Sequence, residues 1–116
     1  MLYFVLLPLN SNLSYKFGRI IHTNTGTSVT VNASTNFDEM VYTGFYYANF
    51  WVAPSGAGVN VPPVSSNNDK MGTFLSFSNY NTSTSVGGVS QLYLGFGGVV
   101  LYRGMNGGTW SSWATK

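Results

Sequence analysis

The stretch Leu101-Tyr102-Arg103-Gly104-Met105-Asn106-Gly107-Gly108-Thr109-Trp110-Ser111-Ser112-Trp113, close to the end of the chain, decides the fold class. An apolar run over residues 99–105 reaches Asn106-Gly107, and a short segment with two tryptophans follows. Asn-Gly is a strong hairpin signal, because both residues tolerate the positive φ angles of a type I′ turn. The stretch therefore predicts a terminal β-hairpin with strands over residues 99–105 and 109–113.

The composition of the whole chain agrees with a β fold. The chain has 116 residues, which favours one domain. Charged residues make up 7% and aromatic residues 16%, whereas about 25% charged residues is typical of soluble domains. Aromatic and β-branched residues favour strands, and Gly and Asn favour turns. So few charges suit a chain with a fixed place in an oligomer or particle, the alternative being a neutral soluble monomer.

Alternation of apolar and polar residues, bounded by turn residues, predicts the remaining strands. We expect them over residues 2–7, 15–22, 27–33, 41–52, 71–78 and 89–96. Ser34 or Thr35 can N-cap a single helical turn that precedes residues 41–52. The predicted fold is all-β: a compact antiparallel β-sandwich or twisted sheet with short strands and Gly/Asn turns.

Several classes of function fit the residues poorly. Basic residues are scattered, which argues against nucleic-acid binding, and no apolar run approaches the about 20 residues of a membrane-spanning helix. The chain has no cysteine and His22 as its only histidine, so we expect neither metal nor cofactor, unless a trimer axis brings three copies of His22 together. Asp38 and Glu39 are adjacent, so on a strand they point to opposite faces and fit glycoside hydrolysis poorly. We expect no enzymatic activity.

A series of short motifs occurs, each once, between residue 36 and the end of the chain. Acidic Asp38-Glu39 precedes Gly44-Phe45-Tyr46-Tyr47; the remaining motifs are Val61-Pro62-Pro63, Gly72-Thr73-Phe74-Leu75, Gln91-Leu92-Tyr93, Tyr102-Arg103 and Asn106 to Trp113 with its Trp-x-x-Trp spacing. In this order and spacing, residues 36–116 resemble the C-terminal knob domain of bacteriophage and R-type pyocin tail fibres. The family-pattern residues are Gly44, Phe45, Tyr46, Gln91, Tyr93, Tyr102, Arg103, Trp110 and Trp113. We expect residues 1–35 to form an N-terminal β segment, which the resemblance does not cover and to which no role is assigned.

The resemblance implies a small homotrimeric β domain at the distal end of a tail fibre. Such a domain is the receptor-binding tip of the virion and attaches to bacterial surface glycan; it is extracellular when released. Its implied partners are further copies of itself, other tail or virion proteins and surface polysaccharide. The alternative is a structural virion component, such as a fibre-capping or decoration protein, without host contact.

Two polar loops are candidates for the glycan contact, because loops on rigid scaffolds often carry binding residues. Trp51, Asn79, Tyr80 and Asn81 offer stacking surface and uncharged hydrogen-bonding groups; the alternative is plain solvated loops. Arg103 lies in an apolar strand, where it either grips an anionic group or has a structural partner such as Asp38. The aromatic residues that either stack on sugars or pack in the core and at subunit contacts are Tyr93, Tyr102, Trp110 and Trp113.

Overall fold

The computed structural model describes residues 29–116, which form strands joined by turns and two short 3-10 helices. The strands are β1 (Thr30–Asn32), β2 (Gly44–Asn49), β3 (Met71–Ser78), β4 (Gly88–Gly95), β5 (Val100–Asn106), β6 (Thr109–Trp110) and β7 (Ala114–Thr115). The 3-10 helices span Phe37–Glu39 and Asn67–Asp69. The all-β prediction is confirmed, and the strands belong to one sheet.

The sheet has the strand order β1-β2-β3-β4-β5-β6, and β7 pairs with β5 beside β6. β1 runs parallel to β2, and all other pairs are antiparallel. β1 lies within residues 1–35, which the resemblance to tail-fibre knob domains does not cover. It nevertheless pairs with β2 and places Val31 in the core. The strands predicted over residues 2–7 and 15–22 lie outside the described residues.

One face of the sheet, the inner face, holds the hydrophobic core. Alternate residues of β2 to β5 point to it, because side chains alternate between the two faces of a strand. Phe37 from the first 3-10 helix packs edge-on against Phe74, with ring centroids 4.9 Å apart. The connections before β2 and β3 supply the covering layer, together with Trp113. The fully or nearly buried apolar residues are Val31, Phe37, Tyr46, Ala48, Phe50, Phe74, Val89, Tyr93, Leu101 and Met105.

The opposite face, the outer face, carries a different set of side chains. The strand register places Phe45, Leu75, Leu92 and Tyr102 in one row across four strands. These side chains range from half-buried to exposed. The outward-pointing residues of β2 to β5 that make up the outer face are Phe45, Tyr47, Thr73, Leu75, Phe77, Ser90, Leu92, Leu94, Val100 and Tyr102.

The sequence predicts the positions of strands more accurately than those of turns and caps. β3 has the predicted bounds, with Phe74 and Ser76 on the buried face. The predicted strand over residues 41–52 is shorter and begins at Gly44. The helical turn forms, but Asn36 caps it and accepts from the backbone N–H of Asp38, so Ser34 and Thr35 were wrong as N-caps.

The terminal hairpin is confirmed, but its turn lies one residue later than predicted. Asn106 pairs with Thr109, which leaves Gly107 and Gly108 as the two central residues. Both have positive φ, +59° and +98°. The strand after the turn ends at Trp110, and residues 114–115 form a separate strand.

Candidate functional site

The end of the sheet where β3 passes into β4 carries most of the predicted glycan-contacting residues. Asn79, Tyr80 and Asn81 lie in the loop of residues 79–87 between these strands. The turn at Gly107-Gly108 lies beside this loop, and its Gly107 N–H donates to Gly87 O at 2.9 Å. We call the surface formed by Phe77, Ser90, Asn106 and residues 79–88 the tip surface.

A shallow depression of about 470 Å³ lies on the tip surface. Phe77, whose side chain is 48% exposed, forms part of its wall. Asn79, Ser90 and Asn106 add uncharged amide and hydroxyl groups. An aromatic ring beside convergent neutral polar groups suits a ligand that has both C–H faces and hydroxyl groups.

The loop on the tip surface is ordered by its own polar side chains. Asn79 Oδ1 accepts from the Gly88 N–H at 2.8 Å. Asn81 Oδ1 accepts from the N–H groups of Ser83 at 2.9 Å and Thr84 at 3.3 Å. The side-chain oxygens of these two predicted contact residues therefore shape the loop.

Trp51, the fourth predicted contact residue, lies at the other end of the sheet. It follows β2, whose last residue Asn49 pairs with Met71 at the start of β3. Tyr80 follows Ser78 at the far end of the same eight-residue strand, so the two aromatic residues are separated by roughly 20 Å or more along the strand direction. Trp51 is 55% exposed, and Lys70 Nζ lies 4.4 Å from its ring centroid. The structure does not bring Trp51 together with the other three residues.

Beneath the terminal hairpin lies a buried polar cluster centred on Arg103, which is 4% exposed. Its Nε donates to Gln91 Oε1 at 2.8 Å, and Gln91 Nε2 donates to Phe37 O at 2.8 Å and Met40 O at 3.2 Å. Arg103 Nη2 lies 2.9 Å from Asp38 Oδ1, so the ion pair expected between these residues is present. This contact is electrostatic in character, since among the described residues no acceptor satisfies hydrogen-bond geometry at Nη2.

The two tryptophans of the C-terminal segment complete the surroundings of the guanidinium. Arg103 Cζ lies 3.9 Å from the ring centroid of Trp110 and 5.0 Å from that of Trp113. Trp113 Nε1 donates to Asn60 O at 2.8 Å, and Asn60 Nδ2 donates to both carboxylate oxygens of Asp38. Burial lowers the pKa of Arg103, and the Asp38 carboxylate opposes that shift. These contacts hold the strand of Trp110, and with it the terminal hairpin, against the sheet.

The other family-pattern residues divide between the two faces of the sheet. Tyr93 is fully buried, with its hydroxyl donating to Asp69 O, and Tyr46 is 4% exposed. Gly44 is buried at the start of β2. Phe45 and Tyr102 lie on the outer face, 37% and 44% exposed. Tyr93 is therefore a core residue and presents no surface for stacking on a sugar.

Sequence reasoning missed three residues of the tip surface: Phe77, Ser90 and Asn106. A sequence signal for Phe77 exists. The alternation in β3 places Phe77 on the other face of the sheet from Phe74, and Phe77 lies one residue before the strand ends at Ser78. Ser90 and Asn106 carry no local signal. They join Phe77 only through the pairing of β4 with β3 and β5.

Other kinds of site receive no support from residues 29–116. Within this part of the chain, no three His, Cys, Asp or Glu side chains lie close enough to hold a metal ion. No helix in the same range has the length and apolar character needed to span a membrane. Comparison of the chain with protein-family models, curated proteins and solved structures finds no match.

Proposed function

We propose that this chain is the tip protein of a bacteriophage tail fibre and that it binds bacterial surface glycan through the tip surface. The observation that carries the proposal is the depression beside Phe77, where an exposed ring meets uncharged amide and hydroxyl groups. The resemblance of residues 36–116 to tail-fibre knob domains supplies the biological setting. The protein acts by binding, without catalysis, and works in a virion or as a released particle.

The framework around the depression supports a binding role. The loop is braced by Asn79 and Asn81, and the neighbouring hairpin is anchored by Arg103. A preformed surface loses little conformational entropy when it binds a ligand. Individual sugar contacts are weak, and several copies on one fibre and several fibres on one particle multiply them through avidity.

Adsorption of the labelled 116-residue chain to host cells, competed by purified surface polysaccharide, tests the proposal. Phe77→Ala removes the exposed ring of the tip surface, and we expect roughly tenfold weaker adsorption, the equivalent of about 1.4 kcal/mol. Phe96→Ala is the matched control, because Phe96 is 65% exposed in the turn at the opposite end of the sheet. Equal adsorption by both variants would show that the tip surface is not the binding site.

A second candidate function is a structural virion component without host contact. The uncharged outer face favours it, because apolar sheet faces commonly pack against other protein. Under this alternative the chain would bind neither cells nor polysaccharide, while virions lacking it would fail to assemble a complete fibre.

A further inference from the structure

A second shallow depression, of about 500 Å³, adjoins the one on the tip surface. Gly104 and Thr109 form part of its lining, so it lies over β5 and β6. Met105 and Asn106 line both depressions, which therefore meet at the end of β5. Together they make one elongated hollow that extends from Phe77 to the C-terminal segment.

The strand register explains why the two depressions form one hollow. Phe77 pairs with Ser90, and Ser90 pairs with Gly104, so these three residues form one row across β3, β4 and β5. Beyond β5 the row continues to Ser111, whose Oγ accepts from the Gly104 N–H at 3.0 Å. Three strand spacings of about 4.8 Å make the row roughly 14 Å long, which exceeds the width of one sugar ring. We call the two depressions along this row the tip groove.

Gly104 keeps the middle of the tip groove open. A Cβ atom added to Gly104 would have Val89 O, 3.7 Å away, as its nearest neighbour, which is an ordinary van der Waals distance. Gly104 is also absent from the glycines of residues 29–116 that have positive φ. Neither packing nor backbone conformation therefore requires glycine here. Glycine weakens the interior of a strand and often marks a place where a ligand approaches the backbone closely.

The polar groups along the tip groove are uncharged and free to bind a ligand. Ser90, Asn106 and Thr109 are exposed, and within residues 29–116 none of these three side chains makes a hydrogen bond. No residue that lines either depression is charged, and the side chain of Arg103 is buried on the inner face. Hydroxyl and amide groups pair well with sugar hydroxyls. A sugar carboxylate would lose hydration here without meeting a cation.

We propose that the tip groove binds a linear, uncharged glycan, with one sugar against the Phe77 ring and the next over Gly104. This inference rests on the proposed function, because it takes glycan as the ligand of the tip surface. It adds that the ligand carries no charge and that its chain crosses β4 and β5. It also extends the binding site to Thr109 and Ser111, beyond the tip surface.

The test is calorimetric titration of the 116-residue chain with O-polysaccharides purified from bacterial strains that adsorb it. We expect the polysaccharides that bind to contain no carboxylate. Gly104→Leu fills the middle of the tip groove, and we expect roughly tenfold weaker binding. Thr109→Tyr narrows the second depression at an exposed position and should weaken binding as well. Thr73→Leu is the matched control, because it enlarges an outward side chain near the opposite end of β3, and we expect unchanged binding.

The outcomes separate this inference from the proposed function. Circular dichroism identifies which variants are folded, and the two groove variants guard against loss of folding in one of them. Full binding by a folded groove variant, together with loss of binding in Phe77→Ala, would overturn the tip groove and leave the proposed function in place. Binding by a polysaccharide rich in uronic acid would overturn the assignment of an uncharged ligand. Binding that neither Phe77→Ala nor the groove variants weaken would overturn both proposals.

Discussion

Arg103 shows how one residue links the core to the tip surface. Its guanidinium contacts Gln91, Asp38 and two tryptophan rings, and these partners come from three segments other than its own strand. A buried cation is tolerated only when such partners surround it. The cluster therefore fixes the first 3-10 helix, β4, β5 and the C-terminal segment relative to one another.

Replacement of Arg103 by methionine preserves apolar bulk and removes the charge. We expect Arg103→Met to lower the free energy of unfolding by about 3 kcal/mol, because Asp38 and Gln91 Oε1 lose their partner. Lys116→Met, at an exposed terminal position, is expected to change it by less than about 0.5 kcal/mol. Chemical denaturation measures both. If the Arg103→Met chain were as stable as the original, the charged contacts of Arg103 would make no net contribution to the free energy of unfolding.

Tyr93 makes a second prediction at the scale of the residue, on the dependence of stability on pH. Burial, followed by the charge of Asp69, raises the pKa of Tyr93 from 10.0 to about 12. In the folded state the hydroxyl keeps its proton up to about pH 12, whereas the unfolded chain releases it near pH 10. The stabilisation is therefore complete below pH 10 and disappears as the pH rises through 12, a loss of roughly 3 kcal/mol.

Tyr93→Phe should remove this alkaline loss, and Tyr102→Phe on the exposed outer face should retain it. Denaturant unfolding at several pH values between 9 and about 12 reports the slope. If the original chain and Tyr93→Phe lost stability in parallel over this interval, ionisation of Tyr93 would not be the cause.

The residue scale also shows what the sequence could and could not predict about the site. The Asp38 partner of Arg103 was predictable, because the chain has only three acidic residues. The roles of Gln91 and Asn60 were not, since each depends on segments 12 or more residues apart in sequence that the fold brings together. Phe77, Ser90 and Asn106 were missed for the same reason, because strand pairing rather than a local sequence pattern makes them neighbours.

At the scale of elements, the terminal hairpin is the feature that the sequence predicts most directly, although its turn is displaced by one residue. Asn106-Gly107 and Gly107-Gly108 both satisfy the requirement for two positive φ angles. The pairing of Met105 with Trp110 selects the second, and it places Trp110 over Arg103. The turn residues alone are compatible with either position of the turn. The contacts of Trp110 with Met105 and Arg103 favour the turn at Gly107-Gly108.

Substitutions at Gly107 test the turn. Its φ of +59° lies in the left-handed region that Asn tolerates and β-branched residues do not. We expect Gly107→Asn to change the free energy of unfolding by less than about 0.5 kcal/mol and Gly107→Val to lower it by about 1–2 kcal/mol. Thermal and denaturant unfolding of both variants provide the comparison. Equal stability would be inconsistent with a left-handed residue at this position.

At the scale of the whole molecule, residues 29–116 form a single sheet whose inner face they cover and whose outer face they leave exposed. The sequence predicts its strands from alternation, and β3 is found where predicted. It does not predict that connections such as the one carrying Phe37 cover the inner face, because an apolar loop residue carries no sign of which strand it packs on. It also cannot place Trp51 and Tyr80 at opposite ends, which follows from the register of β2 with β3.

This separation of the two ends makes the location of binding the central question. The most direct measurement is NMR mapping of backbone amides in the full chain during titration with a panel of purified lipopolysaccharide O-polysaccharides. We predict that a binding polysaccharide shifts the amides of residues 77–90 and 106–109 and leaves those around Trp51 unchanged. Shifts confined to the Trp51 end, or no shifts with polysaccharide from a host to which the chain adsorbs, would contradict the account.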